Sequence, residues 1–283
     1  MNGVLIVNKP EGITSQGVVS RVKKLLNEKK VGHTGTLDPL ATGVLPILIG
    51  NYTKLSKYLI EHDKTYRAII KLGESSSTGD REGEIVETKE VPNLDEAKIK
   101  LALDKFLGKK VQTPPMYSAI KINGKKLYEY ARVGEEVEIP KREIEIYKID
   151  LISFDKENKR LEFEVSCSKG TYIRTLCEDI AKELETVGYM YSLNRIKVDK
   201  FSIEDSFTLE DIEARNYKLI SMEELFKSLP RIDLSSRKLE LFLNGVNLSF
   251  DLEDGIYNIY NDKKYIGLGT VKNKLLKRDV IEE

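Results

Sequence analysis

A loop of small and hydroxyl residues that carries one carboxylate constrains this chain more than any other stretch. It runs from Val31 to Leu45 with the sequence Val-Gly-His-Thr-Gly-Thr-Leu-Asp-Pro-Leu-Ala-Thr-Gly-Val-Leu. Its three glycines and its proline predict a demanding backbone path, and its small side chains would let the backbone of another molecule approach closely. Apolar segments flank the stretch, so we expect the loop to emerge from a packed scaffold.

Asp38 is the one carboxylate of this loop, which also holds His33, one of two histidines in the chain. A lone acid on a loop can act as a nucleophile or a base, or it can cap the turn. Asp before Pro is common in turns. Taken by itself, this residue favours the turn.

Length and composition predict a soluble globular protein. The chain has 283 residues, of which 40% are apolar and 33% charged. A single core stops growing at about 250–300 residues, so one large domain and one small domain are expected. No apolar run reaches the roughly 18 residues of a membrane span, and the N-terminus lacks the basic start and cleavage site of a signal peptide. We therefore expect no membrane association and a cytoplasmic location.

Cys167 and Cys177 do not have a metal-ligand spacing, and two histidines add little to them. We therefore expect no metal, and free thiols in a reducing compartment. The net charge is zero, from 46 basic and 46 acidic residues. This balance argues mildly against a nucleic-acid-binding protein, which usually has a basic surface, unless the charges are segregated.

The pattern of the chain predicts alternating strands and helices. Tyr66, Ala68, Ile70 and Leu72 alternate along one face of a strand, and Tyr66 by itself would be a packing residue. The polar stretch 73–83 is predicted to be a surface turn. Other expected elements are strands at 4–7, 44–49, 143–154 and 160–168, and helices at about 15–28, 53–60, 95–106, 208–214 and 221–228, with caps at Thr14 or Ser15 and at Asn93 or Asp95. From about residue 231, short β-like runs alternate with turns.

The segment 113–142 combines basic residues with tyrosines, a mixture that suits an arm for nucleic acid. Acidic residues near 135–138 offset part of this positive charge. Composition alone therefore favours neither a nucleic-acid arm nor an ordinary surface segment. The basic residues are Lys121, Lys125, Lys126, Arg132, Lys141 and Arg142, and the tyrosines are Tyr117, Tyr128 and Tyr130.

A further motif, Ser-Lys-Gly-Thr-Tyr-Ile-Arg-Thr-Leu, covers residues 168–176. Gly170 permits a tight turn, and Thr171 is predicted to cap the helix that follows. Arg174 falls in the first turn of that helix and off its apolar stripe. Because the helix dipole disfavours a cation there, we expect an anionic partner to hold it.

Several stretches resemble the TruB family of tRNA pseudouridine synthases. Residues 32–45 resemble the catalytic motif of that family. Residues 8–15 resemble its N-terminal motif, 64–66 its Lys-x-Tyr motif, and 113–121 with 124–128 its RNA-gripping thumb. Residues 170–175 and 192–196 are similar to two further motifs. The resemblance extends from the N-terminus to about residue 228, and softer motifs beyond it resemble a short PUA domain, an RNA-binding β module.

The resemblance implies catalytic roles for three residues. Asp38 would be the essential catalytic carboxylate, and Arg174 would pair with it. A cation within about 4–6 Å lowers an Asp pKa by roughly 1–3 units and offsets the effect of desolvation. Tyr66 would lie against the target uracil and would be the first candidate to relay the proton from C5. The residues leave open whether Asp38 attacks C1′, attacks C6 or forms a glycal.

The resemblance also implies substrate contacts. His33 would fill the position of the flipped base, Tyr172 would contact the base, and Leu193 would line its pocket. Lys121 lies in the thumb that grips the RNA. A turn-stabilising imidazole is the rival interpretation of His33, and ordinary core packing is that of Leu193.

The implied fold is α+β, the pseudouridine synthase fold, with a mixed, mainly antiparallel sheet flanked by helices and a small C-terminal PUA-like β domain. We expect a catalytic domain at 1–229, with a thumb at about 113–142, and the PUA-like domain at 230–283. The implied substrate is uridine 55 in the T-loop of tRNA. No cofactor, no metal and no protein partner would be needed, and we expect a monomer.

Two alternatives belong to other classes. A non-catalytic RNA-binding protein or tRNA-folding chaperone could use the same basic surface. A carboxylate hydrolase acting on a sugar bond normally needs two carboxylates, and the Asp38 loop offers one.

Overall fold

The structure is a computed structural model, and it describes residues 1–60, 62–118, 120–135 and 137–282. Ala119 of the predicted thumb motif and the side chain of Arg132 lie outside this description. The strands are β1 (Gly3–Lys9), β2 (Val31–His33), β3 (Thr42–Ile49), β4 (Lys64–Leu72), β5 (Glu74–Ser76), β6 (Ile85–Thr88), β7 (Gly108–Gln112), β8 (Lys121–Ile122), β9 (Lys125–Lys126), β10 (Arg142–Asp155), β11 (Arg160–Cys167), β12 (Gly188–Val198), β13 (Phe201–Ser202), β14 (Arg231–Asp233), β15 (Leu248–Ser249), β16 (Gly255–Asn261), β17 (Lys264–Lys272) and β18 (Leu275–Ile281).

The helices lie between these strands and on both sides of the large sheet. They are α1 (Ser15–Leu26), α2 (Ser56–Leu59), α3 (Glu96–Asp104), α4 (Leu127–Arg132), α5 (Ile173–Glu183), α6 (Leu209–Glu213), α7 (Met222–Leu225) and α8 (Ser236–Leu243), with 3-10 turns at Gly50–Leu55 and Ile203–Asp205. None of the helices in the described ranges is long and apolar enough to cross a membrane.

The large sheet has the strand order β1-β3-β12-β4-β11-β10-β7, with β2 paired to β3 and β13 to β12. Its pairs are antiparallel except β3 with β12. Because β12 lies between β3 and β4, it joins the strand that follows the Asp38 loop to the strand that carries Tyr66. The predicted α+β class with a mainly antiparallel sheet is confirmed.

Two apolar layers hold the sheet in place. On one face α5 buries Ile173, Leu176 and Ile180 against residues of β4 and β11, including Phe163. On another, α1 buries Val18, Val19 and Val22 against β1 and β3. Each such side chain stabilises the fold by roughly 1.5–3 kcal/mol when it leaves water, so the elements that carry the site are firmly packed.

Both cysteines are buried and free, as the spacing predicts. Cys167 lies on the buried face of β11, and burial raises the pKa of its thiol to about 11. Cys177 lies on the buried face of α5. A raised pKa disfavours the reactive thiolate, so these side chains pack as small apolar groups.

The predicted helix caps are correct in two cases and wrong in one. Thr14 caps α1 by accepting from the Gly17 N–H, and Asp95 caps α3 by accepting from Lys98. Thr171 does not cap α5, because the helix begins one residue later than that cap requires. Its hydroxyl instead donates to the carbonyl of Ser168 at 3.0 Å.

The C-terminal stretch forms a second sheet with the order β14-β16-β17-β18-β15. It has its own apolar cluster, which includes Ile232, Phe242 and Ile259. The β-only pattern expected there is wrong at α8. Phe242 is the one buried residue of that helix, so the helix leaves little periodic signal in the sequence. The boundary near residue 230 stays a prediction.

Candidate active site

A cleft of about 980 Å³ opens where the Asp38 loop, β4, β12, the start of α5 and the segment 117–128 meet. Five of the seven predicted site residues line it, namely Asp38, Tyr66, Tyr172, Arg174 and Leu193. The lining contains five basic side chains, Lys64, Arg142, Lys169, Arg174 and Arg195, and two acidic ones, Asp38 and Glu143. The cleft is therefore positively charged although the chain as a whole is neutral.

The backbone on both sides of Asp38 is fixed to neighbouring elements. The Leu37 N–H donates to Ser15 Oγ at 2.8 Å, and the same hydroxyl donates back to the Leu37 carbonyl at 3.1 Å. Lys9 Nζ donates to the Pro39 carbonyl at 3.1 Å. Asp38 thus sits between one contact to the start of α1 and one to the end of β1. Its side chain remains 36% exposed toward the cleft.

The demanding backbone path that the glycines predict is present at Gly43. Its φ is +106°, and a Cβ there would lie 2.3 Å from the carbonyl oxygen of Arg195. Any other residue would both strain the backbone and force β3 away from β12. Gly32 and Gly35 do not have a positive φ. A Cβ at these positions would meet its nearest neighbour at 3.9 and 3.6 Å, an ordinary contact, so the fold of the free protein does not require glycine there.

Arg174 lies beside Asp38, with 3.2 Å between its Nε and Asp38 Oδ2. Its side chain is only 7% exposed. Nη2 donates to the Tyr117 carbonyl at 2.7 Å and Nη1 to the Thr78 carbonyl at 3.3 Å. The anionic partner expected for this first-turn cation is therefore present, and two carbonyls complete its surroundings.

Asp80 is a second carboxylate beside Arg174, and no sequence pattern predicted this contact. Its Oδ2 lies 3.7 Å from Nη1 of Arg174, and its side chain is 6% exposed. Thr78 Oγ1 and the Glu82 N–H both donate to Asp80 Oδ1. The prediction that 73–83 is a surface turn is wrong at this residue, because the turn folds inward onto α5. In the sequence, Asp80 stands in the polar stretch Ser-Thr-Gly-Asp-Arg-Glu-Gly. Nothing in that stretch predicts a contact with an arginine nearly a hundred residues away.

Burial raises the pKa of Asp38 above its ordinary value. The nearby Arg174 charge opposes this shift, and the Asp80 carboxylate adds to it. The expected offset of desolvation by Arg174 is therefore incomplete. Burial also lowers the pKa of Lys9 to about 8, although the neighbouring Asp38 favours its charged form.

Tyr66 and Arg195 are direct cross-strand partners on β4 and β12. Tyr66 is 8% exposed and Arg195 is 1% exposed. Burial raises the pKa of the Tyr66 phenol, while the Arg195 charge acts to lower it. The sequence around it, Ser-Leu-Asn-Arg-Ile-Lys, mixes polar and apolar residues and so gave no sign of a buried arginine.

His33 lies in β2 at the start of the loop and is half-buried. Its Nδ1 accepts from the Gly35 N–H at 3.3 Å. Burial and the Arg195 charge lower the pKa of the imidazole and so favour its neutral form. The hydrogen bond to Gly35 is the contact that the turn-stabilising interpretation requires. The base-replacing role stays a prediction.

Tyr172 and Leu193 both face the cleft, and both also have structural contacts. The backbone of Tyr172 forms two hydrogen bonds with the side-chain amide of Gln112, at 2.8 and 3.0 Å. Leu193 is 7% exposed and belongs to the main core cluster. Their predicted contacts with the substrate therefore stay predictions.

Lys121 is exposed on β8 and does not line the cleft. Strand β8 forms a short hairpin with β9, which carries Lys125 and Lys126. The hairpin leads into α4, and the Tyr128 N–H donates to the Ser118 carbonyl at the cleft wall. Lys121 thus lies beside the opening of the site on the predicted thumb. Among the described residues, no three His, Cys, Asp or Glu side chains cluster as metal ligands would.

Residues 23–173 match the N-terminal domain of the TruB family pseudouridylate synthases, and residues 174–232 match the C-terminal domain of tRNA pseudouridylate synthase B. The chain belongs to the TruB family. The resemblance inferred from the loop motif is confirmed, and with it the enzyme class, a pseudouridine synthase.

Curated relatives match over nearly the whole chain. One from Caldanaerobacter subterraneus subsp. tengcongensis is 43% identical over 280 residues, covering 98% of both chains. Relatives from Clostridium kluyveri and Aquifex aeolicus are 42% and 41% identical, covering 96% and 98% of both chains. All three bear the name tRNA pseudouridine synthase B.

Solved structures share the fold at lower identity. The structure of a Cbf5-Nop10-Gar1 complex matches with a TM-score of 0.69 at 23% identity, covering 99% of this chain and 83% of that one. An H/ACA RNP bound to a substrate RNA containing 2′-deoxyuridine matches with a TM-score of 0.70 at 22% identity, covering 99% and 85%. These similarities support the pseudouridine synthase fold.

Proposed function

We propose that this TruB family enzyme converts uridine 55 in the T-loop of tRNA to pseudouridine, with Asp38 as the catalytic carboxylate. The observation that carries the proposal is the placement of Asp38. It is the carboxylate that faces a positively charged cleft while a buried arginine holds it at 3.2 Å. Relatives named tRNA pseudouridine synthase B support tRNA as the substrate.

The chemistry needs few protein groups. The reaction breaks the bond between N1 and C1′, rotates the base and rejoins it through C5, so no atom is lost and no electron is transferred. It needs a carboxylate, an aromatic wall and a base for the C5 proton. Asp38, Tyr66 and Arg174 meet in one cleft and match these needs.

The cleft suits a nucleotide that has left its stack. Flipping a base costs a few kcal/mol, and stacking on an aromatic side chain returns about 1–3 kcal/mol. Tyr66 and Tyr172 are aromatic residues of the lining, and Lys64, Arg142 and Lys169 bring positive charge to it. Neutralising phosphates with such side chains is the main source of affinity for nucleic acid.

The surrounding parts fit the same substrate. The β8–β9 hairpin presents exposed lysines beside the cleft, as a thumb on RNA would. The C-terminal sheet with its basic residues would be a PUA-like contact to a second part of the tRNA. A monomeric enzyme in the cytoplasm, without a protein partner, completes the proposal.

Tritium release tests the reaction and its carboxylate together. An unmodified tRNA transcript with 5-tritiated uridine is incubated with the wild-type enzyme or with Asp38→Asn. Release by the wild type alone is the expected result, and mapping the product to position 55 tests the site. Release by both proteins would reject Asp38, while tight tRNA binding without release would favour a non-catalytic RNA-binding protein.

A further inference from the structure

Arg195 is a buried cation whose surroundings hold no carboxylate. It is 1% exposed in the middle of β12. Among the described residues no acidic side chain lies within ion-pair distance of it, in contrast to Arg174 with its two aspartates. Arginine is almost never fully buried unless it is paired, because a buried charge costs several kcal/mol. A role in packing alone does not account for it.

The guanidinium instead holds the backbone around the Asp38 loop. Nη2 donates to the Gly35 carbonyl at 3.2 Å, Nη1 to the Thr36 carbonyl at 3.4 Å and Nε to the Val44 carbonyl at 2.8 Å. These acceptors stand on both sides of Asp38 in the chain. The planar guanidinium carries its donors on three separate nitrogens in a rigid fork, so it can reach three carbonyls that lie apart, whereas the donors of a lysine all lie on one nitrogen.

The same residue is coupled to Tyr66 from the other side. Arg195 and Tyr66 face each other across β12 and β4, and both line the cleft. Burial raises the pKa of the Tyr66 phenol, and the Arg195 charge acts to lower it and so favours the ionised phenol. One residue therefore binds the backbone around the Asp38 loop and is the direct cross-strand partner of Tyr66.

We propose that Arg195 is a positioning residue that fixes Tyr66 relative to the Asp38 loop and stabilises the Tyr66 phenolate during removal of the C5 proton. This inference rests on the proposed function. Tyr66 first releases its hydroxyl proton to solvent. After the C1′–C5 bond forms, the phenolate takes the proton from C5, and Tyr66 is again a phenol. The C–H electron pair returns to the ring and leaves a negative charge on N1, which takes a proton from solvent. The proton that Tyr66 released is thereby balanced.

The test separates positioning from folding by a double-mutant cycle. Single-turnover tritium release at saturating RNA, RNA affinity and melting temperature are measured for Arg195→Met and Arg195→Lys, each alone and combined with Tyr66→Phe. Thr186→Val is the matched control. Thr186 is 2% exposed and donates to the Glu90 carbonyl, and it does not line the cleft. It should lower stability without changing the rate.

We expect Arg195→Met to slow the chemical step about 100-fold, the size of effect that a misplaced catalytic group produces, with RNA affinity unchanged. Arg195→Lys keeps the charge and should slow the step less. In the Tyr66→Phe background either substitution should slow the step by a clearly smaller factor, because Arg195 can then act only through the Asp38 loop. If Arg195→Met does not fold, Arg195→Lys gives the same comparison.

Two results would overturn the inference. A wild-type rate in both Arg195 variants would show that Arg195 does not position Tyr66 for the reaction. An equal reduction in rate with and without the Tyr66 hydroxyl would show that Arg195 acts on the fold and not through Tyr66. Absence of release by the wild type is a different result, since it rejects the proposed function and this inference with it.

Discussion

Nε of Arg174 lies 3.2 Å from Oδ2 of Asp38, and the guanidinium that makes this contact also faces a second carboxylate. Asp80 Oδ2 stands 3.7 Å from Nη1. The two acids differ in exposure, at 36% for Asp38 and 6% for Asp80. One cation is therefore shared between an acid that a substrate can reach and an acid that it cannot. This asymmetry supports the proposal that Asp38 carries the chemistry, with Asp80 as a buried partner of Arg174.

Asp38→Asn should abolish turnover, keep tRNA affinity and not lower the melting temperature. Burial raises the pKa of Asp38 in the folded state. A carboxyl group with a raised folded pKa destabilises the fold when ionised, and stability rises as pH falls through that pKa. A neutral amide removes this cost, and Arg174 keeps Asp80. Thermal melting near neutral pH, tRNA binding and tritium release check the three parts, and a clearly lower melting temperature would contradict the electrostatic argument.

The midpoint of the acid limb of the pH–rate profile should lie above the pKa of an ordinary aspartate. Asp38 must be ionised to act, so the rate falls as pH falls through its raised pKa. Asp80 is one cause of that raised pKa. Asp80→Asn should therefore move the midpoint of the limb to lower pH, because it removes a like charge and leaves Arg174 to Asp38. A midpoint that stays in place would show that Asp38 does not control the limb.

Arg174→Met should lower the free energy of unfolding by about 3–5 kcal/mol, the cost of stranding one partner of a buried ion pair. The stranded partner is Asp80. Arg67→Met is the control. The ion pair between Arg67 and Glu164 has the same 3.2 Å separation as the pair between Arg174 and Asp38, but its side chains are 48% and 28% exposed. An exposed pair contributes about 0–1 kcal/mol. Urea denaturation measures both, and equal reductions in the free energy of unfolding would contradict the burial argument.

The lysines of the β8–β9 hairpin should contact phosphates. Replacing Lys121, Lys125 and Lys126 by Ala should weaken tRNA binding and reduce the slope of log K against log salt by about 0.7–0.9 for each phosphate that the variant no longer neutralises. Replacing three exposed lysines of another region, Lys89, Lys98 and Lys100, should leave the slope unchanged. Binding titrations across a range of salt measure both triple variants, and equal slopes would exclude a phosphate contact by the hairpin.

The sequence predicted the parts of the site that lie in one contiguous motif. The glycine-rich loop marked Asp38 and Gly43 in the sequence. A cation in an unfavourable helix position marked the first turn of α5. The hairpin of β10 and β11 follows in the same way from alternation. Such features depend on neighbours within a few residues, so pattern reasoning finds them.

What the sequence did not predict depends on contacts between distant segments. The burial of Asp80 follows from the position of Arg174, and the importance of Arg195 follows from the register of β12 between β3 and β4. Lys9 looks like an exposed turn residue in the sequence. In the structure it is 0% exposed, and its Nζ donates a hydrogen bond to the Pro39 carbonyl. No local pattern encodes these pairings.

Two buried threonines should respond to valine with opposite signs. Thr34 and Thr186 are both 2% exposed. The Thr34 hydroxyl is buried without a hydrogen-bond partner among the described residues, whereas Thr186 donates to the Glu90 carbonyl at 2.9 Å. An unsatisfied buried polar group costs about 1–3 kcal/mol, and a typical hydrogen bond contributes about 0.5–1.5 kcal/mol. Valine has nearly the same shape as threonine, so it removes each hydroxyl with little change in packing.

Thr34→Val should therefore raise the free energy of unfolding, by up to about 1–3 kcal/mol, and Thr186→Val should lower it by about 0.5–1.5 kcal/mol. Denaturant titration of both variants beside the wild type measures the difference. Thr34 belongs to the Asp38 loop and lines the cleft, and a hydroxyl retained there at a cost in stability has no structural explanation in the free enzyme. Destabilisation by both substitutions would mean that the Thr34 hydroxyl is satisfied in solution and that its position beside the cleft needs no other reason.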